Sequence, residues 1–329
     1  MPGSGGRLRD LASASDLTAA ANAAVECLGV GPSDSVLILC NDEQRSIAAS
    51  LAAAAEARTR AVTVLEFAAL SRHGEEPPAE VAEAMARADV VFAPTSRSLS
   101  HTQARIEATK RGARVATLPT ITEEVFARTL PVDYAELKRN GERLAARLTA
   151  ASSARITTAA GTEIVLDLDG RTGRSDDGNL QQQGIFGNLP AGEAYIAPHE
   201  DAGDGTIVID GSLAGHGRLA LPLRIAVQNG RVVEADTDAG KWLLETLDAG
   251  GEHGRSLAEL GIGTNPAATL TGNVLEDEKA VGTVHIAFGA SAAMGGVNLA
   301  GVHIDGILLR PTVELDGERV LDDGRLRVP

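Results

Sequence analysis

Four short apolar runs recur at a nearly constant interval in the first part of the chain. They begin at Val36, Val62, Val90 and Val115, about 25 to 28 residues apart, and stretches rich in Ala, Arg and Glu separate them. Apolar strands that alternate with helices are typical of a parallel sheet covered by helices on both faces. We therefore predict an α/β fold that opens with a Rossmann-like, parallel-sheet domain over residues 1–135.

The stretches between the runs predict the helices of this domain. We expect helices over residues 45–57, 80–87 and 102–110, and an opening helix over residues 16–28 that is capped by Ser15 or Asp16. The loop CNDEQ after the first run contains no glycine and carries two acids. A bound pyrophosphate needs close approach to the backbone at that point, so the domain is not predicted to bind a dinucleotide.

The pattern changes after a charged amphipathic helix predicted over residues 133–151. Short alternating strands are expected near residues 154–168, 205–209 and 225–235, and a single helix near residues 239–249. The Asn-Gly pair at 229–230 between apolar runs is a strong hairpin signal. We predict a second, strand-rich α+β domain over residues 136–329, which would carry the metal site.

Composition and charge exclude several classes of function. Acidic residues number 45 against 30 basic ones, for a net charge of −15. A chain this acidic repels a phosphate backbone, so nucleic acid is not an expected partner. Cys27 and Cys40 are too few for a disulfide framework. The Met1–Gly6 stretch lacks the pattern of a signal peptide, and the most apolar stretch is too short to span a bilayer. We expect a soluble cytoplasmic protein that does not bind membranes.

Two strand-like segments carry residues suited to metal binding. In GTVHIAFG (282–289) apolar residues alternate with small or polar ones, so His285 points away from the core among small neighbours. In VHIDG (302–306) the same period places His303 and Asp305 on one face. Two imidazoles and a carboxylate suit iron, manganese, zinc or cobalt. We predict a divalent-metal site that contains His285, His303 and Asp305.

Two further carboxylates are candidates for the same site. Glu193 lies between turn residues and a short apolar strand, and Glu259 lies among apolar residues just before a glycine turn. An acid among apolar residues is costly to bury unless it is paired or coordinates a metal. The charge run EDEK (276–279) precedes the His285 strand. Most of this run is expected to face solvent, although residues 277–279 could brace the site.

Taken together, four sequence blocks carry a family resemblance. They are LPAGEAYIAP (189–198), ELGIGTNP (259–266), DEKAVGTVH (277–285) and HID (303–305). In this order they resemble the thermophilic-type metalloaminopeptidases of the aminopeptidase T and aminopeptidase S group. The resemblance implies a two-domain, usually dimeric, two-metal exopeptidase. It also implies the metal ligands Glu193, Glu259, His285, His303 and Asp305.

A second resemblance points to different chemistry on the same fold. The iron-dependent 2,5-dihydroxypyridine 5,6-dioxygenases hold one Fe(II) with two histidines and an aspartate, which here would be His285, His303 and Asp305. They also place a histidine of the first domain near the substrate, and TSRSLSHTQAR (95–105) resembles that region. His101 would then act as acid and base, unless it merely lies in the first turn of a helix. The absence of the peptidases' site tyrosine from residues 290–295 favours this second resemblance.

Three hypotheses remain open from the sequence, and the first, a metal-dependent hydrolase, is preferred because Glu193 and Glu259 are both retained. The first is an aminopeptidase with one or two Zn, Co or Mn ions, in which Glu193 or Glu259 bridges the ions and Glu193 also has a catalytic role. The second is a ring-cleaving Fe(II) dioxygenase with His101 in the site. The third is a non-catalytic metal-binding accessory protein. The expected partner is a small peptide or other small molecule, and the resemblance implies a homo-oligomer.

Overall fold

The computed structural model describes residues 12–327, which form two compact units. The first unit extends to Pro131 and also takes in Leu180–Leu189. The second contains Val132–Asn179 and the chain from Pro190 onward. The Met1–Gly6 stretch, on which the expectation about a signal peptide rests, lies outside the described residues. Within residues 12–327 there is no helix of the length and hydrophobicity that crossing a membrane requires.

A five-stranded parallel sheet forms the centre of the first unit, as the recurring apolar runs predict. Its strand order is β2-β1-β3-β4-β8. These strands are β1 (Ser35–Cys40), β2 (Ala61–Glu66), β3 (Val90–Thr95), β4 (Arg114–Pro119) and β8 (Phe186–Asn188). The accompanying helices are α1 (Ala14–Cys27), α2 (Arg45–Glu56), α3 (Ala79–Met85), α4 (Gln103–Lys110) and α5 (Glu123–Thr129).

Two details of this unit differ from the sequence predictions. The opening helix is capped by Ser13 rather than by Ser15 or Asp16, because Ser13 and Asp16 bond each other's backbone in a capping box. Coverage of the sheet on both faces holds for β1, β3 and β4. It is wrong for β2, in which no residue is fully buried. The reason is position, since β2 is an edge strand.

The second unit consists of two largely antiparallel sheets with three helices. The eight-stranded sheet has the order β14-β13-β10-β6-β5-β18-β19-β20, and the seven-stranded sheet has the order β12-β11-β17-β16-β15-β9-β7. The strands are β5 (Ser153–Thr157), β6 (Glu163–Asp167), β7 (Arg174–Asp176), β9 (Glu193–Ile196), β10 (Asp204–Ile209), β11 (Ser212–Leu213), β12 (Gly217–Arg218), β13 (Leu223–Gln228), β14 (Arg231–Ala235), β15 (Leu257–Gly263), β16 (Val284–Gly289), β17 (His303–Leu308), β18 (Thr312–Leu315), β19 (Glu318–Asp322) and β20 (Arg325–Leu326). The helices are α6 (Tyr134–Ala150), α7 (Thr237–Ala249) and α8 (Val274–Asp277).

The main hydrophobic core of this unit draws on both sheets and on α6 and α7. On β16 it takes Val284, Ile286 and Phe288, each fully buried, as the alternation in the sequence predicts. Successive residues of a strand point to opposite faces, so this packing turns the intervening residues of β16 away from the core. The core therefore determines which face of the seven-stranded sheet carries the candidate ligands.

This dependence predicts a stability effect for Ile286, which is completely buried in the core. We expect Ile286→Ala to lower the free energy of unfolding by about 2 to 5 kcal/mol, because it leaves a cavity under the ligand strand. Urea denaturation followed by circular dichroism measures this change. Val233→Ala, at a residue 45% exposed, is the control and should change stability by less than about 0.5 kcal/mol. Equal effects of the two substitutions would contradict the packing of Ile286 on β16 into the hydrophobic core.

Candidate metal centre

Five acidic and imidazole side chains lie on one face of four neighbouring strands of the seven-stranded sheet. The strand register explains this, because directly paired residues point to the same face. Ala287 on β16 pairs with both Glu259 on β15 and Asp305 on β17. His285 pairs with Gly261 on β15, two residues from Glu259. The full set consists of Glu193, Glu259, His285, His303 and Asp305.

The five side chains form two groups that share one carboxylate. In the first, Nε2 of His285 lies 3.2 Å from Oε2 of Glu193 and 3.4 Å from Oε1 of Glu259. In the second, Nε2 of His303 lies 3.2 Å from Oε2 of Glu259 and 3.3 Å from Oδ1 of Asp305. Glu259 therefore presents one oxygen to each histidine. Each group has the size and donor types of a divalent-metal site.

Two observations on individual atoms fit a cation at these groups. Oε2 of Glu193 is buried and accepts no hydrogen bond within the described part of the chain, although it faces His285. A buried carboxylate oxygen without a donor is costly unless a cation binds it. His303 donates from Nδ1 to the carbonyl oxygen of Ala290 at 2.8 Å, which leaves Nε2 as its free ligand atom.

Gly261 makes the room that the His285 ring occupies. A Cβ atom at Gly261 would lie 1.9 Å from Nε2 and 2.1 Å from Cε1 of His285. Any residue other than glycine at position 261 would therefore clash with the imidazole ring of His285. The glycine is part of the ELGIGTNP block, but its role depends on a cross-strand neighbour that the sequence alone does not reveal.

Lys279 binds the side of Glu193 that faces away from the histidine. Its Nζ donates to Oε1 of Glu193 at 2.6 Å, and lies 3.0 Å from Oε1 of Glu278 and 3.5 Å from Oδ2 of Asp176. The lysine is only 1% exposed. Glu193 is thus left with a single oxygen, Oε2, for a metal ion.

The expectation that the run 276–279 faces solvent is wrong. Lys279 and Glu278 are buried beside Glu193. Glu276 accepts hydrogen bonds from the backbone N–H of Thr269, and Asp277 accepts them from the backbone N–H groups of Thr271 and Gly272 and from Ser212. The loop that follows Asn265 therefore folds over the run and supplies the donors that make its burial possible.

The charges of the centre perturb one another strongly. Burial lowers the pKa of His285 and His303, but the adjacent carboxylates outweigh it and hold both values well above the usual range. Burial would raise the pKa of Glu193, yet Lys279 and His285 lower it to about 2. Burial raises the pKa of Glu278 to about 8 against the opposing effect of Lys279. Burial likewise raises the pKa of Asp176 to about 7, again against Lys279.

Tyr195 is a further residue on the ligand face. It follows Glu193 by two positions on β9 and pairs with Gly261, so its ring points to the side of the ligands. Burial and the nearby Glu259 and Glu193 raise its pKa, which keeps the phenol protonated. The site tyrosine that the aminopeptidases carry after their first ligand histidine is absent from residues 290–295. Tyr195 reaches the ligand face from a different strand, β9.

His101, the other candidate catalytic residue, belongs to the first unit. It is exposed in the turn between β3 and α4, and Thr102 after it is the N-cap of α4. An exposed turn position is compatible with the helix-turn role considered above. The catalytic assignment of His101 stays a prediction.

Comparison with known proteins relates the chain to two groups. A profile of the family described as 2,5-dihydroxypyridine 5,6-dioxygenase matches residues 16–328. A curated protein, aminopeptidase T of Thermus aquaticus, is 33% identical over 161 residues. That match covers 43% of this chain and 38% of the length of the aminopeptidase.

Solved structures of both groups share the fold of the chain. The 2,5-dihydroxypyridine dioxygenase of Pseudomonas putida KT2440 superposes with a TM-score of 0.80 at 19% identity, over 97% of this chain and 99% of that one. Wild-type AmpT of Thermus thermophilus superposes with a TM-score of 0.72 at 21% identity, over 95% of this chain and 99% of that one. Both groups and the cluster of ligand-type side chains indicate metal binding.

The space at Gly261 predicts the effect of adding one methyl group. We expect Gly261→Ala to displace the His285 ring, to lower bound metal by about one ion per chain, and to cost about 1 to 3 kcal/mol of stability through overpacking. Elemental analysis of protein dialysed against the metal measures the loss. Gly31→Ala is the control, because its Cβ would meet only Oδ2 of Asp34 at 3.6 Å. Unchanged metal content in Gly261→Ala would remove His285 from the ligand set.

The raised carboxyl pKa values predict how pH affects the metal-free protein. Between the ordinary Glu pKa of 4.5 and about 8, folded Glu278 holds a proton that the unfolded chain has released, so the free energy of unfolding falls as pH rises. The raised pKa values of Asp176 and of the two histidines act in the same direction.

Thermal unfolding after chelation, followed between about pH 5 and pH 8.5, measures this fall in stability. Glu278→Gln should make the melting temperature less dependent on pH, and Glu80→Gln, at an exposed residue of α3, should not. A melting temperature that rises with pH over this interval would contradict the expected burial of Glu278.

Proposed function

We propose that the chain, which belongs to the 2,5-dihydroxypyridine 5,6-dioxygenase family and shares its fold with aminopeptidase T, is a two-metal hydrolase, because its candidate ligands form two groups that share one carboxylate. The proposed reaction is release of the amino-terminal residue from small peptides. The proposed ligands are Glu193, Glu259 and His285 for one ion, and Glu259, His303 and Asp305 for the other.

The sharing of Glu259 is the observation that carries this proposal. Its two oxygens face different histidines, the arrangement that a carboxylate adopts between two metal ions. A site for a single ion would instead bring His285, His303 and Asp305 to one point. In the described residues these three do not form a group within the same distance limit as the two triads.

The charge of the centre gives independent support. Five carboxylates surround it, those of Asp176, Glu193, Glu259, Glu278 and Asp305, and Lys279 supplies one positive charge. With neutral imidazoles as ligands and a proton on Glu278, whose pKa is raised to about 8, an excess of negative charge still remains that divalent cations would offset. Burying such an excess without cations would be very costly.

The protein's own groups define the rest of the proposed mechanism. When bound by the two triads, a pair of divalent ions would supply a water of lowered pKa and a Lewis acid for the scissile carbonyl. Lys279 holds Glu193 in one orientation, and the carbonyl of Ala290 holds His303 in one tautomer. Glu278 belongs to neither triad but interacts electrostatically with Glu193, His285 and Asp305. We assign it to the α-ammonium group of the substrate, and Tyr195 to a hydrogen bond that the developing oxyanion accepts.

A second candidate is a single-iron dioxygenase that acts on a hydroxylated pyridine. It is favoured by the family profile, which spans almost the whole chain, and by the likeness to the Pseudomonas enzyme. In this case His285, His303 and Asp305 would converge on one Fe(II), with open positions for the substrate and oxygen. Glu193 and Glu259 would then need another role, which makes this the second choice.

Single histidine substitutions distinguish the two candidates by metal content. With two ions sharing Glu259, the wild type should bind about two ions of Zn, Co or Mn per chain, and His285→Ala and His303→Ala about one each. His253→Ala, in a glycine-rich turn, should keep about two ions and serves as the control. One iron per chain in the wild type, lost completely in both variants, would favour the dioxygenase.

Activity assays complete the distinction. We expect release of p-nitroaniline from aminoacyl p-nitroanilides, abolished by chelation and reduced more than about 100-fold in Glu259→Gln, because both ions lose a ligand. N-acetylated substrates should not be cleaved, since they lack the ammonium group assigned to Glu278. Oxygen uptake with 2,5-dihydroxypyridine, without cleavage of any anilide, would overturn the hydrolase.

A further inference from the structure

A row of residues on the ligand face continues past the metal centre to the edge of the seven-stranded sheet. Residues that pair across antiparallel strands point to the same face. His285 pairs with Gly261, Gly261 pairs with Tyr195, and Tyr195 pairs with Arg174 on the edge strand β7. Arg174 therefore lies on the ligand face, three strands from His285 and one strand beyond Tyr195.

The guanidinium of Arg174 has no counter-charge within the described chain. The nearby Arg171 binds Glu200 at 2.5 Å, whereas Arg174 is exposed and forms no ion pair with any described residue. The phenol of Tyr195 is half-buried and makes no hydrogen bond to the described residues either. Two neighbouring groups that can donate hydrogen bonds are thus left without partners beside an acidic centre, which favours an anionic group of a ligand between them.

The loop between the two ligand strands (residues 290–302) lies against one side of this guanidinium. Nη1 of Arg171 donates to the carbonyl oxygen of Gly295 at 3.0 Å, and Arg171 in turn binds the buried Glu200. Glu200 also accepts two hydrogen bonds of 2.6 Å from other residues of the loop. Nη2 of Arg174 would lie 3.6 Å from a Cβ atom at Gly295. Because the glycine has no side chain, the loop leaves the guanidinium open to a ligand.

The position of Arg174 fits the carboxylate end of a short peptide. The substrate's ammonium group is assigned to Glu278, which interacts with Asp305 on β17, so the rest of the substrate extends past Tyr195 towards β7. Neighbouring strands are about 4.8 Å apart, and one residue of an extended peptide spans about 3.5 Å. The terminal carboxylate of a dipeptide or tripeptide therefore comes within reach of Arg174. Lys279 cannot take this role, because it is buried and lies 2.6 to 3.5 Å from three carboxylates.

We propose that Arg174 binds the terminal carboxylate of the substrate and makes the enzyme selective for short peptides with a free carboxyl terminus. The proposal rests on the proposed hydrolase function and adds the class of substrate. A guanidinium forms charge-assisted hydrogen bonds with a carboxylate. A terminal amide lacks the charge, and a longer peptide carries its carboxylate past the arginine.

The ratio of kcat/KM for leucylglycine to that for leucylglycine amide measures this selectivity. The ratio should be at least about 10 in the wild type and about 1 in Arg174→Gln, because the neutral amide side chain cannot form the charge-assisted bond. Arg224→Gln is the control. Arg224 is exposed on β13 of the other sheet and forms no ion pair with the described residues, so its substitution should leave the ratio unchanged.

A charge placed beside the guanidinium tests the same contact from the loop. Gly295→Asp should abolish the selectivity, since the new carboxylate lies next to Nη2 of Arg174 and takes the place of the substrate's. Gly295→Asn introduces the same shape and the same backbone strain at a φ of 102°, but no charge, and should keep the selectivity. Equal ratios in the two variants would contradict the contact.

Calorimetric titration separates this proposal from the hydrolase function. The probes are leucylglycine with a reduced peptide bond and the carboxamide of the same compound, titrated into metal-loaded protein. The acid should bind the wild type at least about 10-fold more tightly than the amide, and Arg174→Gln should bind both equally. This result without cleavage of any peptide would refute the hydrolase and leave the role of Arg174 standing. Equal affinity of the wild type for both probes, no binding of either, or a preference that survives Arg174→Gln would overturn the proposal, even if peptides are cleaved.

Discussion

The burial of acidic side chains on one face of the seven-stranded sheet is the constraint on which the second unit depends. The other face of the same strands seals the hydrophobic core, so the acids cannot turn away without unpacking Ile286 and its neighbours. A buried carboxylate is tolerated only with a counter-charge or several donors. Glu276 and Asp277 find backbone N–H groups, and Glu193 finds Lys279. Among the described residues, Glu259 and Asp305 pair with the imidazoles of His285 and His303.

The imidazoles explain how the unit can fold before a metal arrives. The carboxylates hold the pKa values of His285 and His303 high, so in the metal-free chain the two rings are imidazolium ions that occupy the positive side of each group. A divalent ion needs the same nitrogen atoms in their neutral form. Protons and metal ions thus compete for the Nε2 atoms of His285 and His303, and the same arrangement of side chains can bind either.

The sequence predicts those features that depend on local pattern. The spacing of apolar runs predicts the parallel sheet, and alternation on β16 and β17 predicts which side of each strand faces the core. It does not predict contacts between distant segments. Glu193 and Lys279 form a hydrogen bond although they are 86 residues apart in the sequence. β8 joins the first sheet beside β4, far from it in sequence. The burial of residues 276–279 depends on backbone donors of the 269–272 loop, and the role of Gly261 depends on a ring from the next strand. The charge of residues 276–279, taken alone, predicts that they face solvent.

One side chain outside the ligand set explains how a common scaffold can favour two ions over one. His285, His303 and Asp305 alone suffice for a single metal. Lys279 takes Oε1 of Glu193 and so points Oε2 at His285, which completes a group separate from that of His303. Without this constraint Glu193 could rotate to pair with other donors. Glu259 would then belong to one group of ligands, that of His303 and Asp305, instead of two. In the proposed two-metal site this buried ammonium would favour a second cation, because it holds one oxygen of Glu193 and leaves the other in need of a positive partner.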